Sequence, residues 1–252
     1  MAKQESIIEI KGTIGKLSFY KTEDGYMIRK KTSLSKERIA KDPAYARTRE
    51  TMDMFAKAGA AGKLLRDALR PIAVNTSDSR VISRLSKQMT KVIKADSTNP
   101  RGKKNVLDGE TELLTGFEFN ARGKLSSTLI VTYESSIDRA SGTVQVKLPS
   151  FVPDNKAIAS PFEATHFQLH MAGVEVDFER AAYVAKFKSS DQLVLNGKEL
   201  AAFDLSVALP PSSTHPLFLA LGIEFFMEDV DGNKPLNNGA FNALAIIKVS
   251  GV

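Results

Sequence analysis

Five cations spaced for one helix face are the residues best placed to do chemistry in this chain, and the chemistry is charge attraction. Arg80, Arg84, Lys87, Lys91 and Lys94 recur at steps of 4, 3, 4 and 3. That spacing puts them on one side of an α-helix. No acidic residue interrupts the stripe, and Arg101, Lys103 and Lys104 follow it closely. Such side chains against phosphate release counterions and give salt-sensitive affinity. They serve equally against an acidic protein surface. No nearby aromatic offers a stacking platform for bases, and no standard nucleic-acid-binding motif occurs.

The other reactive residue types read as structure. His166 and His170 lie four apart on a predicted strand, about 13 Å along it, too far for one metal. His215 stands before Pro216 in a predicted loop. Asp229-Val230-Asp231-Gly232-Asn233 resembles the start of a calcium loop. Its twelfth position is Ala240, which has no side-chain oxygen to coordinate. It reads instead as a hairpin turn. No nucleophile elbow, phosphate loop, His-Glu-x-x-His or dinucleotide fingerprint is present. The chain has no cysteine, which removes disulfides, thiol nucleophiles and thiolate metal sites. The expectation is a non-enzymatic chain with no cofactor, no metal and no small-molecule substrate. A carboxylate pair joined only by the fold stays open.

These residues sit in a chain of uneven charge. Residues 1–104 hold 24 Lys+Arg and 11 Asp+Glu, and residues 105–252 hold 11 and 18. A basic part of this kind suits an anionic partner, either nucleic acid or the acidic half of another copy. The N-terminus lacks the apolar stretch of a secretory signal, and no run of about 18 apolar residues marks a membrane span. The expected location is the cytoplasm, or release as part of an assembled particle.

The elements that must position the cations follow from local pattern. Ile7 to Lys31 reads as β structure, turning at Thr22-Glu23-Asp24-Gly25. Phe19, Tyr20, Tyr26, Arg29, Lys30 and Lys31 make this an arm able to pair with another sheet edge. Asp42 and Pro43 start a helix that should run to about Arg70 and end at Pro71. Ala56, Ala58, Gly59, Ala60, Ala61 and Gly62 give it a small-residue face for close packing. A second helix begins near Ser77-Asp78, with Val81, Leu85, Met89 and Val92 as its apolar stripe.

Residues 96–104 form a polar connector. From about residue 112 the apolar period becomes two. Phe117 and Phe119, the run Leu129-Ile130-Val131, and Val144, Val146 and Leu148 begin the series. Phe167, Leu169 and Met171 come next, and Val174, Val176 and Phe178 continue it. Strands are also expected over 183–187, 193–195, 203–209, 217–227 and 243–249. This spacing indicates an antiparallel sandwich or barrel.

Three stretches are similar to a family of uncharacterised bacterial proteins. One is Gly12 to Lys21 with Asp24-Gly25-Tyr26 and Arg29. The second is Asp42-Pro43 through Arg47-Thr48-Arg49-Glu50. The third is Phe225-Phe226, Asp231-Gly232 and Asn238-Gly239-Ala240-Phe241. The resemblance is best over the first fifty residues and loose over the last thirty. It implies a Gly-rich hairpin and a basic helical segment before an immunoglobulin-like sandwich, and it implies no activity.

The expectation is therefore an α+β chain. A basic β-arm and two helices occupy 1–104, and an acidic antiparallel sandwich, immunoglobulin-like or jelly-roll-like, occupies 105–252. The leading function is a self-assembling subunit of coat, tube or filament type. The alternative is a sequence-nonspecific nucleic-acid-binding protein. A hydrolase cleft on the sandwich loops is a third reading, and the absence of tryptophan for sugar stacking stands against it.

Overall fold

The computed structural model describes residues 2–4, 9–31, 34–236 and 241–252. It divides into two compact units, Met1–Arg49 and Glu50–Val252. The boundary expected at residue 104 falls inside the second unit, because both expected helices share a core with the strands.

The first unit is a four-stranded antiparallel sheet of β1 (Ala2–Lys3), β2 (Gly12–Ile14), β3 (Leu17–Thr22) and β4 (Gly25–Lys30), in the order β1-β4-β3-β2. Two-residue turns set its register. Gly15 and Lys16 join β2 to β3, with Gly15 at φ +58°. That left-handed conformation suits glycine and matches the strand twist. Glu23 and Asp24 join β3 to β4, where Thr22 Oγ1 donates to the Gly25 carbonyl at 3.1 Å. Helix α1 (Lys36–Lys41) follows, capped by the Ser35 side chain. Ile7 and Ile8, read as part of the arm, lie outside the described residues.

The second unit has three layers. Helices α2 (Ala46–Ala68), α3 (Arg70–Ala73) and α4 (Val81–Ala95) form the first, with the opening turn of α2 belonging to the first unit. The chain does not stop at Pro71. It breaks at Leu69 (φ −92°, ψ 0°) and restarts. Pro71 then occupies the first turn of α3, where its missing N–H costs nothing. The small-residue face holds in part. A Cβ on Gly62 would stand 3.4 Å from Leu85 Cγ, whereas one on Gly59 would meet nothing within 4 Å.

The remaining elements are β5 (Phe117–Glu118), α5 (Leu125–Thr128), β6 (Glu134–Asp138), β7 (Thr143–Leu148), β8 (His166–Asp177), β9 (Ala182–Ser189), β10 (Leu193–Val194), β11 (Phe203–Ala208), β12 (Leu217–Asp229), β13 (Gly232–Pro235) and β14 (Ala243–Ser250). The middle layer is a seven-stranded sheet ordered β10-β8-β12-β14-β5, with β9 also on β8 and β13 also on β12. The outer layer is the three-stranded sheet β11-β7-β6. All pairings are antiparallel.

At β8, β12 and the start of β14 the middle sheet is buried on both faces, which explains their apolar runs. On β8, Phe167, Leu169 and Met171 face the three-stranded sheet, while Ala172, Val174 and Val176 face the helices. The second trio thus switches faces instead of continuing the first. On β12, Leu217, Leu219, Leu221, Ile223 and Phe225 face the small sheet, and Phe218 and Ala220 face the helices. A Cβ on Gly173 would stand 2.8 Å from Val207 Cγ2. Glycine therefore lets the small sheet approach β8 closely. The run Leu129-Ile130-Val131 is not a strand. Leu129 follows the short α5 and makes a single bridge to Ile158, and Ile130 is exposed. Asp229 and Gly232 bound the expected hairpin turn.

Candidate interaction surface

Helix α4 positions the basic stripe by burying its opposite side. Val81, Leu85, Met89, Val92 and Ile93 are buried in the core shared with the middle sheet. The cations therefore lie away from that core, but the fold uses them differently. Arg84 is structural. Its guanidinium pairs with Asp78 at 2.7 Å and donates to the carbonyls of Glu118 and Phe119 at 2.5 and 2.8 Å. It also lies over the Phe117 ring. Asp78 in turn accepts the backbone N–H groups of Arg80 and Ala121. Burial pushes the Asp78 carboxyl up. The two N–H groups and the Arg84 cation outweigh it and hold the group below its ordinary value.

The connector consumes two more cations. Arg101 pairs with Glu50 at 3.1 Å. Lys104 Nζ donates to the carbonyls of Lys94 and Asp96, closing the end of α4. Asp96 organises this loop from a buried position. It accepts the N–H groups of Thr98, Asn99 and Asn105 and the Asn99 side-chain amide. Burial raises its carboxyl, but these donors prevail and lower it to about 2. Lys87, Lys91, Lys94 and Lys103 remain outward, and they are exposed, as is Arg80. Lys87, Lys91 and Lys94 share one helix face within two turns.

The charge map also changes with the unit boundary. Residues 1–49 hold 12 Lys+Arg and 6 Asp+Glu, and residues 50–252 hold 23 of each. The whole net charge of +6 therefore belongs to the first unit. The second unit is balanced but polarised. Its residues 50–104 hold 12 basic and 5 acidic groups, against 11 and 18 in 105–252.

In the first unit the arm residues sit on a sheet with two different faces. Cross-strand register puts Ile14, Leu17, Phe19, Tyr26 and Ile28 on one face, with Lys21 and Lys30 at its rim. Tyr20, Met27 and Arg29 lie on the other, where the Arg29 guanidinium sits 5.4 Å from the Tyr20 ring centroid. Lys31 follows β4 and donates its N–H to the Lys16 carbonyl. No described residue of the first unit is buried, and Ile14 is 61% exposed.

The chain matches no protein-family model and no curated protein. Ser213 Oγ donates to Glu175 Oε1 at 2.5 Å and accepts the His215 N–H. The His215 ring instead approaches Asp177, 3.8 Å away. Serine and imidazole thus address different carboxylates, and no nucleophile–base pair forms between them. Arg139 ties this corner together through the carbonyls of Ser213, His215, Ser250 and Gly251.

His166 and His170 hydrogen-bond to Thr165 and Ser189 respectively. His170 Nε2 also stands 3.4 Å from Glu224, which holds the Asn75 amide. Among the described residues no group of three or more His, Asp or Glu is arranged to hold a metal ion. No helix among them is long and apolar enough to cross a membrane. Asp229 is engaged by Lys234 and by the Val230 N–H, while Asn238, Gly239 and Ala240 lie outside the described residues.

One buried polar node carries no distinctive sequence pattern. Asn242, with no exposed surface, accepts the Phe225 N–H and donates to the carbonyls of Asn75 and Leu236. Its own carbonyl accepts from Asn120. A lone asparagine just before an apolar strand was the available signal, and it is indistinguishable from an ordinary turn residue.

Proposed function

We propose that the chain is a self-assembling structural subunit, of coat, tube or filament type, whose basic first unit docks on an acidic surface of a neighbouring copy. The observation that carries this reading is the open apolar face of the first unit. Ile14 and Leu17 on it are exposed, Phe19, Tyr26 and Ile28 are half-buried, and lysines rim it. A sheet this small gains stability by covering such a face. The lysine rim has a counterpart in charge on the three-stranded sheet. Its outer side carries Glu134, Asp138 and Asp204 among small polar residues, with Lys147 as the one cation on those strands. Opposite charges would steer and register the contact between copies.

Light scattering at about 50 mM and about 500 mM salt tests this reading, since exposed charges are screened at the higher value. Assemblies at low salt should shrink at high salt. Leu17→Glu combined with Lys30→Glu should abolish them. A strict monomer at every concentration and salt sinks the reading.

Nucleic-acid binding is the second reading, favoured by the outward Lys87, Lys91 and Lys94. Three phosphate contacts would give a log–log salt slope of about −3. Lys87→Glu with Lys91→Glu should remove the binding. No binding by the unaltered protein at about 50 mM salt ends this alternative.

A further inference from the structure

We propose that β9 is a two-fold contact between copies, in which the β9 strands of two chains pair antiparallel about Ala185 and join their middle sheets into one. This inference rests on β9 and not on the electrostatic docking above.

One edge of β9 is fully used. It pairs with β8 from Asp177↔Ala182 to His170↔Ser189 with no register shift. Among the described residues no strand hydrogen-bonds to its other edge, although β11 of the small sheet lies close to β9. Every residue of β9 except Ala185 is exposed, including Tyr183 at 45%, Val184 at 38% and Phe187 at 38%. An open edge presents unpaired N–H and C=O groups to any second strand. Edges are commonly protected by short length, lysines or other charges, proline, a bulge or a covering segment. β9 has eight residues, no proline and an unbroken ladder. Lys186 and Lys188 are its only charges.

The side chains select a second copy as the occupant. A two-fold axis that keeps an antiparallel sheet continuous must stand perpendicular to it, centred on one residue. Centred on Ala185, the pairing sets Tyr183 opposite the second copy's Phe187, and Phe187 opposite its Tyr183. Both pairs lie on the helix side with Ala185, which packs on the helix-side core. Cross-strand aromatic pairs of this kind are favourable. On the other face Val184 meets the second copy's Lys186, and Ala182 meets its Lys188. No like charges are opposed. Centring on Lys186 would oppose that lysine to itself, and centring on Val184 would lose both aromatic pairs. The strand is therefore complementary to itself in one register.

The test is sedimentation or light scattering of the full chain at about 500 mM salt, where docking by exposed charges is screened. The unaltered protein should be a dimer. Val184→Lys places an ammonium opposite the second copy's Lys186 at two symmetric positions and should weaken the dimer roughly tenfold or more. Val184 is a surface residue, so the fold should be kept. The double variant Val184→Lys with Lys186→Glu opposes unlike charges and should restore the dimer.

Three results would overturn the proposal. They are a monomer at about 500 mM salt, a Val184→Lys dimer as tight as the original, and a double variant no tighter than Val184→Lys. Larger species at low salt that fall to monomers at high salt would overturn the β9 pairing and leave the docking reading standing. Dimers at both salts with nothing larger would do the reverse.

Discussion

Replacing Arg84 with alanine is expected to destabilise the second unit by roughly 3 kcal/mol, whereas Lys87→Ala and Lys91→Ala should each stay within about 0.5 kcal/mol of the unaltered protein. All three residues belong to one cationic stripe in the sequence. Only Arg84 reaches back to Asp78 and to the carbonyls of Glu118 and Phe119. Its loss leaves a carboxylate and two carbonyls without their cation in a half-buried seam. Chemical denaturation at constant m-value measures the difference. Arg84→Lys should recover less than half of it, because an ammonium cannot fork between three acceptors. Equal and small effects for all three substitutions would refute the structural role.

The pH dependence of this effect has a definite sign. Asp78 is held below its ordinary value in the fold. A depressed carboxyl stabilises above its unfolded value and loses that contribution as pH falls through the folded one. The gap between the unaltered protein and Arg84→Ala should therefore be full at neutral pH and narrow below the ordinary aspartate range.

Asn242→Ala should cost about 4 kcal/mol, comparable to truncating a large core side chain. Asn242 sits where the start of β14 meets the Asn75 loop and the end of β12. Its amide satisfies the Phe225 N–H and the carbonyls of Asn75 and Leu236. Alanine would leave the Phe225 N–H without its acceptor at a buried site and would take the amide donor from the part-buried carbonyls of Asn75 and Leu236. Asn242→Asp keeps the acceptor but loses the donors. It should rescue little at neutral pH, since it also buries a charge. A thermal melt of both variants checks this. A loss under about 1 kcal/mol for Asn242→Ala would show that the node is dispensable.

Much of the architecture was legible because it rests on local periodicity. The α4 stripe of Val81, Leu85, Met89 and Val92 is buried as its spacing implies. The alternating runs became β7 and β8, and the Asp-Gly pairs fell at the two expected hairpin turns. Gly62 lies in a close helix approach, as a small-residue face suggests. Periodicity was silent on which layer each apolar face meets. Phe167 and Val174 both look like alternating strand residues, yet they point to opposite cores. For the same reason the helices read as a separate basic region, whereas they form one of the three layers of the second unit.

The stripe from Arg80 to Lys104 shows where the sequence stops and the fold begins. The sequence by itself determined that these cations share a helix face and a connector, because a 3.6-residue period and a proline-containing turn are set by the chain's own backbone. Only the tertiary structure decided that Arg84, Arg101 and Lys104 are held by internal acceptors while Lys87, Lys91 and Lys94 stay outward. Those acceptors lie 6 to 51 residues away in the chain. Charge attraction and hydrogen bonding act through space at a few ångströms, so no spacing rule along one segment can reveal which cations the fold has already used.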